Sequence, residues 1–417
     1  MESHHNVSPH IYLLATFLTT ISTLYIYNEN GFQNHWFLAP LIGLALVYGG
    51  INFYRQTKGK SEFTVLKKIH WPILLRKAAA RYVVWLVVIS SALLLYRNLP
   101  HYNTEKFQAN FMFLSQLINV YLLLGLPYFL ITLIFKSSRR EDFYDPAVRL
   151  LHMAKQLTLG LIKEERNKSA YLALRNKYNR KVLLNLLMRA YFVPIMIIQV
   201  LGTTLSNLDL IHQLQTEGQI LAFLYFATTV LWLMDIVNAS LSYSMESRWL
   251  ENRSRSIDMT LTGWLVCFCC YEPLNQITGY LFPFAPFVAT QNPQDLILPS
   301  ANFLITTKVI EVIFLCGHIY SDVSLGPSIA NVTFKKLQTR GPYGLVRHPG
   351  TTTKLSFWLM QSIFYKQFWT LKIIYGYAMW AIIYVSRALT EERHLKRYPE
   401  YREYMKKVKY RFFPWLF

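Results

Sequence analysis

The chain has 417 residues, 53% of them hydrophobic and only 16% charged, where a soluble domain averages about 25% charged. That composition excludes intrinsic disorder, which needs low hydrophobicity, and it argues against a water-soluble enzyme. The net charge of +20, from 43 Lys and Arg against 23 Asp and Glu, fits either nucleic acid or an anionic membrane surface; where the basic residues sit decides between them.

The first ten residues carry no Lys or Arg, so a cleavable signal peptide with its basic leading region is not expected. A membrane-spanning helix needs about 20 predominantly apolar residues. Eight such runs precede residue 321, near 11–27, 36–54, 78–96, 111–135, 182–204, 219–245, 260–282 and 302–320. A ninth, 355–386, is too long for one crossing and is interrupted at Tyr365-Lys366-Gln367, which reads as a helical hairpin. The expectation is an all-α polytopic membrane protein of about ten helices, with none of the ten-residue alternation of a transmembrane barrel. It divides into a multi-pass domain, 1–320, and a C-terminal part, 321–417, holding the hairpin and a polar tail.

Lys and Arg accumulate on the cytoplasmic side of membrane proteins. The segments 55–77, 136–181, 246–259, 321–354 and 387–417 hold 36 of the 43, and the alternate segments 28–35, 97–110, 205–218 and 283–301 hold only Arg97 and Lys106. Both termini are therefore expected in the cytoplasm. The positive charge is then a topology signal and the bilayer is the partner. Nucleic acid is not expected, since no basic–aromatic stripe for stacking bases is present.

Within 136–181, Ala147, Val148, Leu150, Leu151, Ala154, Leu157 and Leu161 recur at helical spacing, with Arg149 and Lys155 off that face. This reads as a helix on the membrane surface, or equally as one packed against neighbouring spans. Six ionisable residues fall inside apolar runs: Arg189, Asp235, Glu272, Lys308, Glu311 and His318. Such groups face protein or water and mark either function or interhelical polar contacts. Lys308 and Glu311 are spaced to pair, and Pro273 after Glu272 predicts a broken seventh span. Cys267, Cys269, Cys270 and Cys316 lie in apolar runs without the spacing of a zinc site, so buried thiols and no metal are expected. Sequons occur at Asn6, Asn167, Asn238, Asn252 and Asn331.

The C-terminal stretch 335–411 carries the chemistry. A Gly-Pro turn at Gly341-Pro342-Tyr343 leads to Arg347-His348-Pro349, and Pro349 favours a helix beginning after His348. Arg387 and Glu391 share one helix face, one turn apart, where the last span leaves the bilayer. Read plainly, these could be a helix cap and a surface ion pair. The set Gly341-Pro342-Tyr343, Arg347-His348-Pro349, Arg387-x-x-x-Glu391-Glu392-x-x-Leu395 and Tyr401-x-x-Tyr404 resembles the C-terminal signature of the isoprenylcysteine carboxyl methyltransferase and phospholipid N-methyltransferase families. These are polytopic membrane enzymes that use S-adenosylmethionine. Residues 1–320 show no such match.

The resemblance implies a cytoplasm-facing cofactor pocket for S-adenosylmethionine, touched by Tyr343, His348, Pro349 and Glu391. Leu337 and Gln338 would line it from upstream, Arg347 or His348 would hold the cofactor carboxylate, and Gly350 and Thr351 would follow. It also implies that Arg387 faces a lipidic methyl acceptor. Two positions depart from the pattern. Thr351 stands where the families usually carry Tyr, and Pro399 stands near a usual Gly. Membrane sterol reductases, which use NADPH, resemble the same pattern less closely, because Gly350-Thr351 replaces Asn-Tyr after His-Pro. A transporter built on the first eight spans is the non-enzymatic alternative.

Overall fold

The structure, a computed structural model, describes residues 7–32, 38–57, 63–65, 70–137, 145–162, 166–217, 219–247, 249–284, 287–288 and 291–415. Helices account for nearly all of its regular structure. In chain order they are α1 (Pro9–Asn30), α2 (Ala39–Thr57), α3 (Trp71–Asn98), α4 (Gln108–Ile134), α5 (Pro146–Ile162), α6 (Arg166–Arg175), α7 (Lys177–Glu217), α8 (Ile220–Ser244), α9 (Leu261–Phe268), α10 (Leu274–Leu281), α11 (Ala301–Val323), α12 (Pro349–Ser362), α13 (Leu371–Leu395) and α14 (Pro399–Lys407). Two short antiparallel pairs join them: β1 (Phe63–Val65) with β2 (Phe135–Ser137), and β3 (Ser256–Ile257) with β4 (Thr333–Phe334).

Among the described residues seven helices are long and apolar enough to cross a membrane: α1, α3, α4 with the turn before it, α7, α8, α11 and α13. Hydrocarbon offers no hydrogen-bond partners, so a crossing segment must satisfy its backbone internally as a helix. Large apolar side chains such as Leu46, Val83, Leu123 and Ile313 point outward and exposed, as in a surface wetted by lipid. The protein is a multi-pass membrane protein of all-α class.

The run 260–282 is broken into α9 and α10 at Glu272-Pro273, a cis peptide bond, as the proline predicts. Two expected segments look different. The hairpin's first leg is the 14-residue α12. The expected outer loop 205–218 continues α7 as far as Glu217, because nothing between Leu201 and Glu217 stops a helix; at 41 residues α7 is about 60 Å long.

The chain forms two compact units, Met1–Tyr48 with Gln199–Phe417, and Gly49–Ile198. In the second, α3 lies along α4, and Arg81 donates to Asp145 at 3.0 Å with both side chains buried. Asp145 also accepts the backbone N–H groups of Ala147 and Val148, capping α5. Sequence placed Arg149 off the packed face of α5. Arg149 is instead buried, 5.1 Å over the Tyr178 ring, and Val148, Leu151, Leu157 and Leu161 are exposed. Cation–π contact over the ring compensates the buried guanidinium.

In the first unit, α11 packs along α8 and α12. Thr16, Tyr48 and Asn238 form a buried hydrogen-bond chain at 2.8 and 3.0 Å. Lys308 and Glu311 pair at 2.9 Å as their spacing predicts. An aromatic core around Phe284, Tyr365, Trp380 and Tyr384 holds the α12–α13 hairpin. The segment 321–417 lies in this same unit with α8 to α11. Cys267 and Cys270 are buried, whereas Cys316 is exposed on α11, since that helix side lacks a packed neighbour.

Candidate functional site

The approach to α12 is built by local hydrogen bonds. Gln338 accepts the N–H groups of Thr339 and Arg340 and donates to the Ser324 carbonyl at 2.8 Å, which turns the chain after β4. Gly341 has φ +62°, and a Cβ there would lie 2.9 Å from Pro9, so only glycine fits. A single turn, Gly341–Gly344, presents Tyr343. Burial, with the Asp322 and Glu391 carboxylates nearby, pushes the Tyr343 phenol well above its ordinary value.

Arg347 and His348 then meet the C-terminal tail. The Arg347 N–H donates to the Tyr410 carbonyl and the His348 N–H to that of Arg411, at 3.0 and 2.9 Å. The Arg347 guanidinium donates to the carbonyls of Val408 and Lys409 and pairs with Glu392 at 2.7 Å. His348 lies 3.8 Å from the same carboxylate. Lys396 and Arg411 approach its other oxygen at 3.3 Å each. Glu392 is 1% exposed, so one carboxylate gathers four basic groups. Thr352 donates to the Phe412 carbonyl and Tyr404 to that of Tyr343, at 3.0 and 2.6 Å. Leu337 packs on the cluster of Phe334, Leu395, Tyr401, Tyr404 and Val408. The groups of Arg347, Gln338 and Leu337 are thus committed to holding protein, not aimed at a ligand.

Pro349 starts α12 and is buried; Thr351 is half-buried on that turn. A Cβ on Gly350 would meet Asp322 Oδ1 at 2.6 Å. The glycine lets the carboxylate that ends α11 sit directly on the start of α12.

On the opposite side of Glu392, the last turns of α13 face an open-sided cleft whose empty space, open solvent included, is about 410 Å³. Arg387, Thr390, Glu391 and His394 form one wall; Asp258, Gly263, Cys267 and the stretch Ala330–Thr333 form the other. Glu391 is exposed there. Arg387 lies one turn deeper. Its guanidinium donates to Asn331 Oδ1 and rests over the Tyr271 and Tyr384 rings at 5.7 and 5.8 Å. Asn331 in turn donates to the hydroxyls of Tyr243 and Tyr271, at 2.6 and 2.9 Å. The far wall is held by β3–β4 and by Asp258, which accepts from the Thr260 N–H and hydroxyl. His394 bonds Ser256 at 2.8 Å, fixing α13 to that wall.

Of the residues expected from sequence, Arg387 and Glu391 share the cleft, and Glu391 and Asp322 both act electrostatically on Tyr343. His348 turns toward Glu392. Sequence missed Asn331, Asp258 and Asp322. Asn331 stood out only as a sequon, and no spacing ties a residue in a turn to Arg387, 56 positions away.

Comparison with protein families, with curated proteins and with solved structures finds no match. The fold defines the class: a multi-pass, all-α membrane protein with a cleft at the end of its last long helix.

Proposed function

We propose that the protein is an integral membrane methyltransferase that uses S-adenosylmethionine and acts on a lipidic acceptor at the cytoplasmic face. The observation that carries this reading is the cleft itself. An exposed carboxylate, Glu391, and a guanidinium one turn deeper, Arg387, flank one cavity at the end of a membrane helix, and the Glu391 charge acts on Tyr343. The donor set suits the cofactor, which carries an ammonium, a carboxylate, a sulfonium and ribose hydroxyls. Glu391 accepts from the ammonium or a ribose hydroxyl, and aromatic faces suit a sulfonium. Arg347 is engaged with Glu392 and the tail, so the cofactor carboxylate is left to other groups. When bound, S-adenosylmethionine supplies the methyl group as an electrophile. The chain's own work is to position: Arg387, braced by Asn331, holds the acceptor's polar head near the reacting atoms, and close positioning is the main catalytic term in a displacement.

In this reading the segments crossing the bilayer number ten: the seven long helices, α2, α9 with α10, and α12. Both termini are cytoplasmic. Outside labelling of Tyr171→Cys but not of Leu298→Cys in intact cells, with Cys316 replaced, would overturn that topology. The test of function is calorimetric titration of the purified full chain with S-adenosylmethionine and with NADPH. Binding of the first alone is expected; binding of NADPH alone would assign the site to a reductase.

A further inference from the structure

In the unit Gly49–Ile198, α5 and α6 each carry an apolar row that stays exposed. α5 lies against α3 and α6, and its buried positions Arg149, Met153 and Gly160 follow one helix face. On the opposite face Val148, Leu151, Lys155, Leu159 and Ile162 recur at i, i+3, i+7, i+11 and i+14, and all are exposed, Ile162 to 77%. In α6, Lys168, Tyr171, Leu172 and Arg175 share a face by the same spacing and are exposed as well. These helices lie outside the seven long apolar ones. Rows of exposed apolar side chains on such a segment mark a surface that meets something.

Charge and depth select the occupant. Together α5 and α6 hold five Lys and Arg and no Asp or Glu. Two such faces brought together would repel, which disfavours a second copy of the chain. Lys155 stands within the α5 row, and Lys168 and Arg175 close the two ends of the α6 row, Arg175 at 5.9 Å from the Tyr171 ring. Long basic side chains in these places lay their stems along apolar surface and keep their charges at headgroup level. The depth follows from the chain on either side. Asp145, which caps α5, bonds Arg81, at the beginning of the apolar run 78–96 of α3. After α6, α7 begins at Lys177, and its apolar run starts near 182, about 8 Å further along the helix. Both ends of the α5–α6 pair are thereby held where two spans enter hydrocarbon.

We propose that α5 and α6 form a docking surface for an anionic bilayer leaflet, their apolar rows entering the boundary between headgroups and acyl chains and Lys155, Lys168 and Arg175 meeting the lipid anions. An interfacial helix binds by its apolar area and by attraction to anionic lipid together. The cytoplasmic leaflet is the anionic one, on the side where the proposed topology puts this segment. The inference concerns the unit that does not hold the cleft, and it stands whether or not the protein is a methyltransferase.

The experiment uses the full chain with Cys269 and Cys316, the cysteines that are not buried, replaced by serine. An environment-sensitive fluorophore is placed at Ile162→Cys or, separately, at Leu159→Cys. The protein is reconstituted in nanodiscs of phosphatidylcholine alone or mixed with phosphatidylserine, with and without doxyl-labelled lipid. At both positions the emission should shift to the blue and doxyl lipid should quench it, more strongly in the anionic discs. Each basic residue near an anionic surface contributes about fivefold to partitioning. Lys155→Gln, Lys168→Gln and Arg175→Gln together should therefore bring quenching in anionic discs down to the neutral level. Added salt should do the same to the unsubstituted chain by screening, a readout that needs no charge variant. Equal quenching in the two lipids at low salt would overturn the anionic preference. Water-like, unquenched emission in anionic discs would overturn the docking surface and leave the face to a protein partner. Blue-shifted emission that doxyl lipid does not quench, and that grows with the number of chains per disc, would assign it to a second copy and overturn the proposal as well.

Discussion

Glu391 and Glu392 are neighbours in sequence and opposites in structure. Glu392 points into protein, 1% exposed, between Arg347, His348, Lys396 and Arg411. Glu391, about 100° around the same helix, is exposed in the cleft above Arg387. One carboxylate joins the tail to the start of α12, and the other is left for something else to meet. A recurring Glu-Glu pair can therefore hold two unrelated jobs, one of assembly and one of binding. The same division separates Arg347, spent on Glu392 and two carbonyls, from Arg387, which bonds Asn331, rests over the Tyr271 and Tyr384 rings and lines the cleft.

Glu392→Gln is the strongest way to test that division. Removing one partner of a buried ion pair leaves the other charge uncompensated, at a cost of about 3–5 kcal/mol. Arg347 is that other charge, since Lys396 and Arg411 are nearly half exposed and exposed pairs contribute little. The expected result is a large drop in the thermal midpoint of the purified protein. A midpoint that does not move would mean that Glu392 does not hold the tail.

Arg387→Ala should cut turnover by about a hundredfold, roughly 2.7 kcal/mol in the barrier, while leaving S-adenosylmethionine affinity nearly unchanged; by stranding the buried Asn331 Oδ1 it lowers the midpoint as well, by less than Glu392→Gln. Lys should rescue it only in part, because an ammonium lacks the planar fork of the guanidinium. If turnover and cofactor affinity fall together, Arg387 belongs to the cofactor pocket.

Glu391→Gln sharpens the contrast from the other side. Losing a charged acceptor costs about 1.5–3 kcal/mol, or some ten- to a hundredfold in affinity, read as a weaker calorimetric Kd for S-adenosylmethionine at an unchanged thermal midpoint. A shift in the midpoint with no change in Kd would reverse the roles assigned to the two glutamates.

The membrane class was legible because spans are long, apolar and separated by basic loops, all local properties of the chain. The hairpin was legible from Tyr365-Lys366-Gln367 for the same reason. The extent of α7 was not: polar residues from Ser206 to Glu217 look like a loop, yet none of them ends a helix, and tertiary or solvent contacts alone decide. At the site, the spacing of Arg387 and Glu391 gave a shared face. The direction of Arg347 was hidden, because a guanidinium suits a cofactor carboxylate and a glutamate equally, and its partners, the Val408 and Lys409 carbonyls, come from a tail about 60 residues on. Asn331 and Asp322 lie on other elements altogether, and only folding brings Asn331 to the cleft and Asp322 to the start of α12.

The Tyr401-x-x-Tyr404 pair offers the smallest and most specific test. Both rings are buried in one cluster, 2% and 4% exposed, their centroids 5.6 Å apart, so their apolar contributions are alike. Their hydroxyls differ. Tyr404 donates to the Tyr343 carbonyl at 2.6 Å, tying α14 to the turn that presents Tyr343. The Tyr401 hydroxyl has no hydrogen-bond partner among the described residues. Deleting a paired hydroxyl also strands its acceptor and costs about 1 kcal/mol, whereas deleting an unpaired buried one removes a desolvation penalty. Tyr404→Phe should therefore lower the midpoint modestly and, by loosening Tyr343, weaken S-adenosylmethionine binding slightly. Tyr401→Phe should leave the midpoint unchanged or raise it and not touch binding. Equal effects from the two would mean that the motif acts through its rings alone, and that the tail reaches the cleft by packing and not through the Tyr343 carbonyl.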